Sequence, residues 1–153
     1  MSDLRRKIDA EKQYIVLTLD NLVAVLERPE RSIVELAAIA TFLHNVYNGI
    51  ENVLKMVFKA HGIEIPSSET WHKDLLAQAI SRGMVSDEVG ESLYEYLAFR
   101  HFFVHGYGFM LEEEALLSLA EGVAELYAHF EANIEGFLAD KQGNVGGQVV
   151  EVA

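Results

Sequence analysis

From Ser32 onward, apolar residues recur in alternating steps of three and four: Ile33, Leu36, Ala40, Leu43, Tyr47, Ile50, Leu54 and Val57. A stripe of that period lies along one side of an α-helix and nowhere in a strand, so this segment must be a long helix with one buried face. Its ends are marked. Ser32 with Glu35 three residues on predicts a capping box, and Ala60-His61-Gly62 offers a glycine for a left-handed stop. A helix with such a seam needs neighbours of the same kind, as in an antiparallel bundle.

The rest of the chain supplies them. Residues 4–27 carry Leu4, Ile8, Tyr14, Val16, Leu17, Leu19, Leu22, Val23 and Leu26 and stop at Arg28-Pro29, because proline disfavours helix in the residue before it. Pro66-Ser67-Ser68 marks the one substantial loop, at 63–69. A short helix is expected over 70–81, closed by Gly83, and a fourth from Ser86 through Val89, Leu93, Tyr96, Leu97, Phe99 and Phe103 to Gly106 and Gly108. A fifth is expected over 112–139; Glu112, Glu113 and Glu114 suit its positive N-terminal dipole. No segment alternates with period two over a strand length. The fold class is therefore all-α, an antiparallel bundle of about five helices. In 153 residues it forms one domain, 1–140, followed by a flexible glycine-bearing tail, 141–153.

Composition narrows the function. Without cysteine, disulfides, thiolate metal sites and thiol nucleophiles are excluded. A net charge of −12 opposes a broad electrostatic grip on nucleic acid, though screening over about 8–10 Å still permits a local phosphate pocket. The charged N-terminal stretch lacks a signal core, and no apolar run nears the roughly 20 residues of a membrane span, so a cytoplasmic protein without membrane contact is expected.

The most unusual stretch is Arg100-His101-Phe102-Phe103-Val104-His105-Gly106-Tyr107, where a guanidinium, two imidazoles and a phenol stand among apolar residues. On a continuing helix Arg100 and His105 would point about 140° apart, so either the helix ends near Val104 or a two-fold axis brings one subunit's arginine to the other's histidine. Tyr94, Phe99, Phe102, Phe103, Tyr107, Phe109 and Met110 crowd this ending with more apolar surface than one bundle face needs, which a homodimer would bury.

Arg100 and His105 with four residues between, followed by Tyr107, resemble the Arg-x4-His-x-Tyr signature of the HepT-like toxins of the HEPN ribonuclease superfamily, and the likeness extends from the first helix to the fifth, including Thr70-Trp71-His72-Lys73-Asp74-Leu75-Leu76. The resemblance implies a homodimeric endoribonuclease toxin, with no metal and no cofactor, that cuts RNA at the subunit interface and is neutralised by a nucleotidyltransferase antitoxin. It implies Arg100 and His105 as the catalytic pair, His101 in support, and Tyr107 as the residue that the antitoxin adenylates. The chemistry is consistent with those roles: an imidazole near its ordinary pKa of about 6.5 exchanges protons at neutral pH, and a guanidinium matches phosphate oxygens. Lys55, Lys59 and Lys73 are candidates for an RNA-tracking rim.

Other readings compete at each position. Arg100 could answer Glu91 or Glu95 as a structural ion pair, with His105 capping the C-terminus of its helix. His101 and His105, one helical turn apart, have metal-ligand spacing but no acid within a turn. His72 reads as a partly buried helix residue, His44 and His61 as packing and capping groups, His129 as solvated, and Glu51 as an acid that could orient Arg100 or a histidine but whose more common fate is exposure. The aromatic cluster reads as core and dimer contact rather than a base-stacking platform, since it is not interleaved with basic residues. The runner-up function is a non-catalytic helical adaptor that binds a nucleotidyltransferase or a nucleotide.

Overall fold

The computed structural model describes residues 2–105 and 112–152, with side chains for 3–105 and 112–140. Tyr107, Phe109 and Met110, and with them the end of the motif beyond His105, lie outside the described residues. Among those described there are five helices and no strand: α1 (Ser2–Leu26), α2 (Ile33–Ala60), α3 (Trp71–Ser81), α4 (Asp87–Val104) and α5 (Glu113–Val152).

The punctuation in the sequence acts as expected. The α1 helix stops ahead of Pro29, and the Arg31 guanidinium donates to the carbonyl of Leu26 at 3.0 Å. Ser32 and Glu35 form the reciprocal capping box of α2. At the far end, His61 donates from Nδ1 to the Val57 carbonyl at 2.9 Å, and Gly62, at φ 68°, turns the chain out in the left-handed region. Ser86 accepts from the Val89 amide to start α4. The α5 helix continues in its backbone through the segment from Lys141 that its glycines mark as a loose tail.

α2 is the central helix. Ile39, Leu43, Ile50, Leu54, Val57 and Phe58 are almost completely buried against α1, α4 and α5, and α3 packs on α4. By length and composition α2 is also apolar enough to cross a membrane, contrary to the reading of the sequence, but many of its apolar residues, from Ile39 to Phe58, belong to the core. Burial of α1 differs from expectation. Its inner face is Leu4, Ile8, Ile15, Leu19 and Leu22, while Tyr14, Leu17 and Val23 stand 60%, 61% and 46% exposed. Gly49 explains the close approach of this pair: a Cβ there would lie 2.6 Å from Cγ1 of Ile15.

Candidate functional site

A polar stripe interrupts the apolar face of α2. His44, Asn48, Glu51 and Lys55 follow one another at intervals of four, three and four, so they share one side of the helix, turned toward α3 and α4. Arg100 reaches this stripe from α4. Its Nε donates to Oδ1 of Asn48 at 3.1 Å, and the Asn48 amide stands 3.0 Å from Nε2 of His44. The amide donates only if that nitrogen is unprotonated. Burial, and then the charge of Arg100, push the His44 pKa down, which favours that neutral form. The His44 ring packs 5.0 Å from Phe103, fixing the three-residue relay behind the arginine. Arg100 is thus held by a neutral amide rather than by Glu91 or Glu95, both of which are exposed, and its charge is not cancelled by the group that positions it.

One turn along α2, Glu51 is 3% exposed. Its two carboxylate oxygens lie 2.9 and 2.8 Å from Nδ1 of His72, at the start of α3. His72 is the partly buried helix residue that the sequence suggests, whereas the expected exposure of Glu51 is corrected. The acid is buried because α3 covers it, and the histidine is its partner, a pairing that a carboxylate at this depth requires. The Trp71 and His72 rings stack with centroids 3.5 Å apart, and Lys55 Nζ lies 5.0 Å from the centre of the indole. The Tyr47 phenol, beside the same carboxylate, is pushed well above its ordinary pKa, first by burial and then by the charge of Glu51.

These two clusters border one groove of about 460 Å³. Thr70, His72 and Lys73 line it from the α3 side, and Tyr94, Arg100 and His101 from α4. A cavity of this size takes a small ligand or part of a polymer. His101 is exposed within it, and the His105 ring packs at 4.3 Å from the ring of His101. The helix ends at Val104, as the glycines suggest, and His105 is its C-cap, with its amide bonded to the His101 carbonyl. Within the protomer, therefore, His105 turns to His101 while Arg100 turns inward to Asn48.

The remaining candidates separate. Lys73 lines the groove and Lys55 borders it through Trp71, whereas Lys59 joins Lys7 and Lys55 around a second hollow beside α1. His61 caps α2 and packs against Phe137, as the sequence suggests, and His129 is exposed. Phe99 is core, stacked on Phe103 at 5.9 Å. Among the described residues no three His, Asp or Glu side chains gather closely enough to hold a metal ion. The pairing of His72 with Glu51 and of Arg100 with Asn48 escapes a reading of the sequence because the partners are 21 and 52 positions apart. The available signal was polar residues recurring on the otherwise buried face of α2.

Comparison with known families gives one result. A family model described as HepT-like protein matches residues 38–140, from the body of α2 through most of α5 and including the whole groove. No curated protein and no solved structure matches the chain.

Proposed function

The chain belongs to the HepT-like family, and on that footing we propose that it is a metal-independent endoribonuclease toxin, acting as a homodimer and neutralised by a nucleotidyltransferase antitoxin. The observation that carries this reading is a groove in which a guanidinium, held by a neutral amide, stands beside imidazoles. Cleaving an RNA strand through its own 2′-hydroxyl needs a base, an acid and a cation for the charge on the pentacoordinate phosphorus. Arg100 is the cation: its forked N–H groups suit the non-bridging oxygens, and Asn48 leaves its full charge for them. His105 is a proton-transfer group and His101 assists it by holding the phosphate.

The two-fold partner supplies what one protomer keeps apart. Val104, 50% exposed beside His105, with the exposed apolar side chains of the α1 and α2 ends, gives a second copy something to cover. In such a dimer the Arg100 of one subunit and the His105 of the other share a phosphate. Tyr107, two residues beyond His105, is the control point. Adenylation there would set a bulky anion two residues from His105 in the chain and repel the RNA backbone.

Net charge −12 is the feature that favours the adaptor reading. The two separate on one assay. Purified protein in excess chelator is expected to cut RNA and leave 2′,3′-cyclic phosphate ends; intact RNA under those conditions contradicts the nuclease and leaves the adaptor.

A further inference from the structure

The motif provides one imidazole to a reaction that moves two protons, and the groove holds a second that is better prepared. We propose that His72, oriented by Glu51, is the general base of this groove, taking the 2′-hydroxyl proton on Nε2 while His105 serves as the acid. The assignment rests on the RNA-cleaving reading above and adds a residue outside the Arg-x4-His-x-Tyr stretch.

Three features of the geometry point to it. The carboxylate of Glu51 meets Nδ1 with both oxygens, so Nδ1 is the donor to it, and in the neutral ring the lone pair that a base requires falls on Nε2. Stacking on Trp71 fixes the plane of the ring. His72 also lines the same groove as Arg100, His101 and Lys73, the surface along which the proposed substrate strand would run. A purely structural partner for Glu51 was available more simply. Lys55, one turn along the same helix, has the charge and the reach, yet it lies over the indole of Trp71 instead.

In the step itself the O2′–H proton passes to Nε2 of His72 and the freed oxygen pair forms the bond to phosphorus. The P–O5′ bond breaks, and O5′ leaves with a proton from His105. The products are a 2′,3′-cyclic phosphate and a 5′-hydroxyl, and no electron is transferred. The imidazolium formed on His72 is stabilised by Glu51, and exchange with water returns both histidines to their starting states.

The test is the pH profile of kcat/KM for RNA cleavage in excess chelator, for the wild type, H72Q and E51Q, with thermal midpoints recorded alongside. Loss of a general base predicts a fall of about 10²–10⁴-fold in H72Q at neutral pH, with the acidic limb of the profile removed. E51Q is expected to lower kcat/KM by less than H72Q does, because the imidazole remains but loses the carboxylate that fixes its orientation. Should H72Q not fold, H72N is measured in its place. A wild type that cuts while H72Q retains its rate within about threefold and its acidic limb overturns this assignment alone. A wild type that does not cut overturns the nuclease reading and this assignment with it.

Discussion

At the scale of single residues, the neutral relay from His44 through Asn48 sets the charge that Arg100 offers. Had the partner been an aspartate, the guanidinium would bring a cancelled charge to a phosphate. The asparagine supplies the same acceptor without that cost. The relay depends on His44 staying unprotonated, and its lowered pKa, caused by burial and then by Arg100 with Glu51 opposing, has a consequence for stability. The unfolded chain takes up a proton at His44 near its ordinary value of about 6.5, before the folded protein does. Folding stability therefore falls as pH drops through that value, and the loss grows until the lower folded pKa is reached. Thermal unfolding between pH 7 and about 5.5 is expected to show a larger loss for the wild type than for H44Q, whose amide still accepts from Asn48 and does not titrate; equal losses would deny the relay its neutral histidine. Arg100, His101 and His105 are legible in the sequence because charged and titratable groups in apolar company are conspicuous. Glu51 is not, since one acid on an apolar helix carries no sign of what will cover it.

The elements are read most easily at their ends. Pro29, the Ser32 and Glu35 capping box, Gly62 and Gly83 each act through local backbone chemistry, and each marks a boundary that the folded protein keeps. Faces are harder. Residues 14–17 of α1 are Tyr, Ile, Val and Leu, apolar all round the helix, so periodicity alone does not say that Ile15 turns inward while Leu17 turns out. What decides it is Gly49 on α2, which gives Ile15 a place to sit. Filling that place with Gly49→Val forces two branched side chains into one space and is expected to destabilise the protein by about 2–3 kcal/mol in chemical denaturation. A change within about 0.5 kcal/mol would mean that α1 does not lean on α2 at this point. Because Glu51 and Asn48 lie one turn or less from Gly49, the same variant is expected to disturb the groove.

For the whole molecule the question is whether the site is shared. Within the protomer Arg100 is tied to α2 and His105 to His101, so a common phosphate calls for a second copy. Unfolding and refolding Arg100→Ala together with His105→Ala mixes the subunits. Half the dimers then carry one site with both defects and one site with none, and about a quarter of wild-type activity is expected to return. If each protomer works alone, the mixture stays as inactive as its parts. Sedimentation of the wild type is the accompanying check on the dimer. The bundle itself follows from helical periodicity along the chain, but the groove depends on α3 folding back over α2, and nothing in either segment announces that contact.

The account rests most heavily on Arg100 and His105 acting on an RNA phosphodiester without a divalent ion. The direct measurement is single-turnover cleavage of RNA in excess chelator by the wild type, Arg100→Ala and His105→Ala, each checked for unchanged helix content. Cutting by the wild type and a loss of about 10²-fold or more in both variants is the predicted result; uncut RNA with the wild type, or undiminished cutting by either variant, would contradict it.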